Sequence, residues 1–255
     1  KAEANQLGVY SDQQISGLKE LTHVIHKSGA TAGLQIVHAG GKSDPKITGQ
    51  SLLGVSPVPV PVKGWTPEVP IKMSLEDIPT YIQWYVEAAL RVQEAGFDLV
   101  EIHSAHGYGL NQWLSPITNH RIDRYGGSLE NRQRLLFEIV RGIKTRVPKV
   151  LLSVRIPAQD HILGGLQVED MQVVVKQLEQ LGVDFINVSS GLGGWRRPEG
   201  RNGEGYLVGD AEQIKLATSL PVIGVGGIEN GTTIDQMLQQ KKLDFAAVGR
   251  AVLKD

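Results

Sequence analysis

No cysteine occurs anywhere in the 255-residue chain. That excludes a disulfide, a thiolate nucleophile and a cysteine-ligated iron-sulfur cluster within these residues, and it is the usage that a reducing cytosol permits. Nor does any apolar run approach the roughly 20 residues of a membrane span. The start, Lys1-Ala-Glu-Ala-Asn, lacks the apolar segment of a signal peptide. An excess of charge is missing as well: 26 basic and 27 acidic residues leave a formal net charge of -1, with no basic patch or polybasic tract. A nucleic-acid or membrane-surface partner is therefore disfavoured. The expectation is a small-molecule partner and a cytoplasmic protein, with the oligomeric state open and a homo-oligomer allowed.

What is present is an alternation of helical and strand-like patterns. Ser11 and Gln14 make a capping box, after which Ile15, Leu18, Leu21 and Ile25 recur at helical spacing until Gly29. Ala32 to Val37 reads as a strand running into His38-Ala-Gly-Gly41. Residues 42–72 are punctuated by Pro45, Pro57, Pro59, Pro61, Pro67 and Pro70, which predicts a long excursion acting as a lid, extended at Val58–Val62 as at a sheet edge. Ser74 is expected to cap a helix that ends before Gly96 and feeds a strand from Phe97 to His103. Side chains alternate along that strand, so Phe97, Leu99, Glu101 and His103 share a face. A polar loop follows, then a helix capped by Ser128 and stopped before Pro148.

Strands are next expected at 150–156, 184–190, 221–228 and 245–250, with helices over 168–178, near 211–217 and near 234–240. A second long loop, rich in glycine and arginine, fills 191–209. Six continuous apolar strands, each preceded by a helix, are what a parallel sheet covered by helices requires. No Gly-x-Gly-x-x-Gly opens a helix after the first strand, which argues against a dinucleotide fold, and the length suits one (β/α)8 barrel. The expected fold is thus an α/β TIM barrel occupying residues 1–255 as a single domain, with six of its eight strands visible. Two strands at the start and the helix after the last would be missing, leaving two sheet edges.

His103 sits at a strand's carboxyl end, where such folds place their chemistry. With His106 it could bind a metal, but zinc needs a third ligand, which only His38 or His161 suggests, so no metal is predicted. Alternatively the two N–H groups could grip one oxygen, as an oxyanion hole does, or the pair could be plain loop residues. Tyr108 keeps its phenol proton at neutral pH and could give it to a nearby carbanion. Arg155 ends an apolar strand and needs an anion or an ion pair with Glu101. Gln35, polar in an apolar run, needs a hydrogen-bonding partner. Gly226, Gly227, Gly249 and Arg250 close the last two strands, where this fold usually binds phosphate.

Two blocks, His103-Ser-Ala-His106-Gly-Tyr108 with Leu114-Ser115-Pro116, and Asp123-Arg-Tyr-Gly-Gly-Ser-Leu-Glu-Asn-Arg132, resemble the old yellow enzyme family of FMN-dependent oxidoreductases, in its His-x-x-His branch. Weaker echoes run from Asn5-Gln6-Leu7-Gly8 to Val248-Gly249-Arg250, so the resemblance covers nearly the whole chain. It implies FMN as cofactor, NADH or NADPH as electron donor and an activated alkene or similar acceptor. His103 and His106 would bind the acceptor's oxygen and Tyr108 would donate the proton. Gln35 and Arg155 would lie against the flavin ring, with the phosphate at Gly226, Gly227, Gly249 and Arg250. A second expectation keeps the flavin but makes this the barrel portion of a larger iron-sulfur flavoprotein resembling dienoyl-CoA reductase or trimethylamine dehydrogenase. Two further alternatives are a flavin-free phosphate-binding isomerase or lyase, and an inactive fragment, to which the missing strands lend weight. Tyr125-Gly-Gly-Ser128 is expected to be structural.

Overall fold

The computed structural model of the protein describes residues 2–62 and 68–253. Helix α1 (Ile15–Lys27) enters through a single turn that the Ser11 and Gln14 box caps, and it stops at Gly29, whose φ of +81° suits glycine. Strand β1 (Gly33–Ile36) leads through the excursion to α2 (Ile78–Glu94) and β2 (Leu99–His103). After β2 come α3 (Gly109–Leu114) and α4 (Arg134–Arg146), then β3 (Leu151–Pro157), α5 (Val168–Gln180) and β4 (Phe185–Ser189). The order closes with α6 (Val208–Lys215), β5 (Val222–Gly224), α7 (Gly231–Gln239) and β6 (Phe245–Ala246).

The six strands form one parallel sheet in chain order, as helical crossovers of one hand produce. Val100, Ile102, Val154, Ile156, Ile186 and Val188 point outward and are wholly buried under the helices. The opposite residues face the inside of the sheet and fall into rows. Gln35, Glu101 and Ser153 are register partners in one row; His103, Arg155 and Asn187 are partners in the next, nearer the carboxyl ends. Among the described residues β1 pairs only with β2 and β6 only with β5, so the sheet shows two edges. Along the outer edge of β1 runs a cavity of about 640 Å³ lined by apolar residues of α1 and α2, and Gln35 and Gly33 are exposed there. No helix among the described residues is long and apolar enough to cross a membrane.

Four expectations are corrected. The excursion is not structureless: a helical turn over Pro45–Thr48 is capped by Asp44, and Leu53–Gly54 pairs in parallel with Ile71–Lys72, whereas Val58–Val62 joins no ladder. The remainder of its tip, residues 63–67, lies outside the described residues. Ser74 does exchange hydrogen bonds with Asp77, but helix α2 begins only at Ile78, after a turn. The polar loop after His103 contains α3, every residue of which is buried. The helix expected from Ser128 is split into a turn over Leu129–Arg132 and α4. Ser128 does cap that turn, its hydroxyl accepting from the Asn131 N–H.

Candidate active site

The turn from β2 into α3 carries three of the predicted residues. His106 adopts φ +59°, a left-handed conformation that non-glycine residues take only when their surroundings dictate it. Here they do. Its N–H donates to the Ser190 carbonyl, the Gly107 N–H donates to the Asn111 side chain, and the Gln112 amide donates to the carbonyls of Gly107 and Ala39. The Gly109 N–H meets the His38 carbonyl, where a β-carbon on Gly109 would lie 2.7 Å from that oxygen and 2.6 Å from the Tyr81 hydroxyl. Glycine is needed there because α3 packs directly on the end of β1.

The rings of His103 and His106 meet edge to face with centroids 4.9 Å apart, and the Tyr108 ring lies 5.3 Å from His103. Both imidazoles are nearly inaccessible. Burial, reinforced by the charges of Arg155 and Lys42, pushes His106 down to about 3 and His103 well below its ordinary value. Both are therefore neutral near pH 7, and each carries one N–H. The Ala105 N–H approaches Nδ1 of His103 at 3.4 Å, so the ring proton belongs on Nε2. For His106, Nε2 is 2.6 Å from the Ser189 hydroxyl, which also accepts from the Arg155 guanidinium at 3.3 Å. With its oxygen accepting from Arg155, the Ser189 hydroxyl is free to donate to Nε2, the tautomer in which Nδ1 of His106 carries the proton. Tyr108 is raised above its ordinary value by burial and by Glu3, which keeps its phenol protonated.

Neutral buried histidines make the fold acid-sensitive. His38, at the end of β1, is also lowered by burial, to about 4. All three shifts are downward, so below pH 6.5 the unfolded chain binds protons that the folded chain refuses, and stability falls as pH falls. Each histidine contributes at most about 1.4 kcal/mol per pH unit within that window. The urea midpoint at pH 5 is expected to lie clearly below that at pH 7, with the decline already under way at pH 6, above the range where carboxylates titrate. A midpoint unchanged between pH 7 and 5 would refute this.

Arg155 does not form the ion pair with Glu101 that the sequence suggested, because Glu101 is already saturated by short neutral donors. It accepts from Gln35 at 2.6 Å, Ser153 at 2.8 Å and Asn187 at 3.0 Å. Gln35 therefore has its partner within the protein, one strand away. Arg155 retains a buried Nε without a partner, and beside it the Asn187 Oδ1 is equally unpartnered. An orphaned donor and an orphaned acceptor inside the mouth of the sheet fit a flavin, whose pyrimidine edge carries both kinds of group. Neither His38 nor His161 joins the histidine pair. The His38 Nδ1 accepts from the Gly40 N–H and its ring packs on Tyr81, while His161 lies 3.3 Å from the Asp210 carboxylate. Among the described residues no three metal-binding side chains converge.

Gly226 and Gly227 follow β5 with φ +127° and +66°, and a β-carbon on Gly226 would sit 2.8 Å from the Leu207 nitrogen. Gly249 and Arg250 are exposed after β6, at the start of a single helical turn, Arg250–Leu253. The Arg250 guanidinium lies over the Trp195 ring, 5.8 Å from its centroid. The cation beside Gly227 is instead Arg197, stacked on Tyr206.

Sequence reasoning missed Asp160, in the loop after β3. It is fully buried, and it accepts from the Ser115 hydroxyl at 2.6 Å, the Leu166 N–H at 2.9 Å, the Leu192 N–H at 3.0 Å and the Asn111 amide at 3.3 Å. One carboxyl group thus ties the loops after β2, β3 and β4 together. Arg121 was missed too: its guanidinium bonds the Val55 and Met73 carbonyls, tying the middle of the excursion to the residue just after it, and also pairs with Asp123 at the start of the second block.

A parallel sheet of βα units that gathers a neutral histidine pair, a tyrosine and an arginine with an unpartnered Nε at its carboxyl ends has the layout of an α/β-barrel active site. The chain belongs to the NADH:flavin oxidoreductase / NADH oxidase family, which it matches over residues 1–255. It is 37% identical to an NADH oxidase of Thermoanaerobacter brockii, covering 100% of this chain and 40% of that protein. Against an NADPH dehydrogenase of Bacillus pumilus it is also 37% identical, over 98% of this chain and 71% of the relative. Its fold superimposes on an old yellow enzyme homologue from Zymomonas mobilis with a TM-score of 0.81 and 25% identity, covering 95% of this chain and 69% of that one. The resemblance read from the two sequence blocks holds, and the six strands are those of a TIM barrel.

Proposed function

We propose that this chain forms the FMN-binding catalytic barrel of an NAD(P)H-dependent ene-reductase in the cytoplasm. The observation that carries the reading is the neutral pair His103 and His106, each with one N–H, set beside Tyr108 and backed by the unsatisfied Arg155. FMN, when bound, supplies the two-electron chemistry, taking a hydride from the nicotinamide and releasing it to the acceptor. The protein's share is positional. Nε2 of His103 and Nδ1 of His106 hold the oxygen of a carbonyl or nitro group, polarising the conjugated double bond. The Tyr108 hydroxyl then delivers the proton to the carbon next to that group. Arg155 and Asn187 bind the flavin's polar edge, with Gln35 beside them in the neighbouring row. Gly226, Gly227 and Gly249 let backbone approach the phosphate, and Arg250 with Arg197 supplies charge.

A visible absorption spectrum of the purified protein, followed by anaerobic NADPH addition and then 2-cyclohexenone, tests this. Yellow colour, bleaching and recovery on enone addition are expected; a colourless protein that FMN does not stain would overturn it. Arg155→Met removes the donors while keeping much of the stem, and is expected to weaken FMN binding by roughly 10-fold to 100-fold, the range for a hydrogen bond from a charged group. Fluorescence titration of the apoprotein with FMN measures it, and an unchanged affinity would remove Arg155 from the flavin site. A second reading is the same barrel within a longer flavoprotein, such as the NADH oxidase of which this chain covers 40%, and iron content and mass of the natural protein decide between the two.

A further inference from the structure

Lys42 has a role that the reaction described above does not use. It follows the Gly40-Gly41 turn after β1, is half-buried, and donates from Nζ to the His106 carbonyl at 2.7 Å. The same ammonium stands 4.8 Å from the centre of the Tyr108 ring. Three N–H donors belong to that group, and a single hydrogen bond occupies one. No carboxylate oxygen among the described residues lies within 4 Å of it, so its charge is not compensated by an ion pair.

The free side of Lys42 faces a cavity of about 270 Å³ that it lines together with Tyr108, Gly193, Gly194, Trp195 and Arg196. A β-carbon on Gly194 would come 3.5 Å from Nζ, so glycine leaves the ammonium open to the cavity. Among the described residues, the lining also includes Arg196 and one acid, Glu3. Arg155, by contrast, reaches His106 from the sheet side through Ser189. The two charges flank the histidine pair from different elements, so a group bound at Lys42 is separate from the flavin's binding groups. A part-buried cation without a partner is costly unless a ligand anion completes it.

We propose that Lys42 binds a second, anionic group on the acceptor, and that this site takes activated alkenes bearing a carboxylate remote from the oxygen held by His103 and His106. The proposal rests on the ene-reductase reading for the alkene and on Lys42's geometry for the carboxylate. Burial also lowers Lys42 to about 8, so its charge fades just above neutrality. Of the groups around it, burial holds both histidines neutral and raises Tyr108, which keeps its proton, while Arg196 and Glu3 line the same cavity and Arg155 lies on the far side of His106.

The test is calorimetric titration of the flavin-loaded protein, without nicotinamide, with benzylideneacetone and its 4-carboxy derivative. These share the enone and differ in charge. At pH 7 the carboxylate is expected to bind at least about 10-fold more tightly, an advantage that shrinks by pH 9. Lys42→Met should abolish the advantage and change the neutral ketone's affinity less than about 3-fold, while Lys42→Arg should retain it. Equal affinities in the unaltered protein, or equal losses for both ketones in Lys42→Met, would show that Lys42 only braces the His106 turn. The pH series on the unaltered protein decides the matter even if Lys42→Met does not fold. NADPH-dependent turnover of the neutral ketone is measured alongside: its absence, with the binding pattern intact, would overturn the ene-reductase reading and leave the anion site standing.

Discussion

Tyr108→Phe is expected to leave flavin reduction by NADPH intact and to slow turnover of weakly activated alkenes by roughly 10²-fold to 10⁴-fold, the contribution of a positioned general acid. The variant removes only a hydroxyl. The ring keeps its contacts with His103 and with the Lys42 ammonium, and the backbone of the turn is held by Asn111 and Gln112, not by the phenol. A loss of folding would therefore not accompany the loss of rate. Burial and Glu3 keep the Tyr108 proton in place through neutral pH, so the acid is present in the form the step requires. Stopped-flow measurement of the two half-reactions separates the outcomes. The reductive half should be unchanged within about 2-fold, and the oxidative half should carry the whole defect. Strongly acidified products, such as those of nitroalkenes, can draw their proton from water and should show a smaller effect. An oxidative half-reaction as fast as that of the unaltered protein on 2-cyclohexenone would exclude Tyr108 as proton donor.

The six strands were legible because each is short and predominantly apolar, with outward residues that are buried under the helices, and a parallel sheet covered on its outer face writes that pattern directly. His103 was placed at the strand end for the same reason. Helix α3 was not legible: all six of its residues are buried, so it has no polar face and no period to read. Its polar members, Asn111 and Gln112, resemble loop residues until their bonds to Gly107, Ala39 and Gly41 are seen. The partner of Gln35 was hidden because strand register, not local sequence, brings Glu101 opposite it. That same register saturates Glu101 with Ser153 and Asn187 and leaves Arg155 unpaired, reversing the ion pair that charge alone suggested. The unpartnered Nε of Arg155 is thus a property of three strands together.

Asp160→Ala is expected to cost about 3–5 kcal/mol of folding stability, because several buried donors lose their acceptor at once. Those donors come from parts of the chain far apart in sequence: Asn111 and Ser115 on and after α3, Leu166 before α5, and Leu192 after β4. Water cannot replace them cheaply, since the site is closed by glycines. A β-carbon on Gly191 would fall 2.2 Å from an Asp160 oxygen, and one on Gly165 would fall 2.7 Å from its β-carbon. That crowding predicts that Asp160→Glu, although it keeps the charge, is no better tolerated than alanine. Asp160→Asn preserves the volume and one acceptor; Ser115 can turn its hydroxyl to accept from the new amide, but the Leu166 N–H is left facing a donor. Its cost should therefore lie between zero and that of alanine, near half. Urea unfolding followed by tryptophan fluorescence measures the series. The predicted order is unaltered protein, Asn, then Ala with Glu. Because Asp160 touches none of His103, His106 and Tyr108, whichever Asn variant folds should retain the binding of ligands at the histidine pair. An alanine variant as stable as the unaltered protein would show that the three loops are held by their own packing and that Asp160 is dispensable.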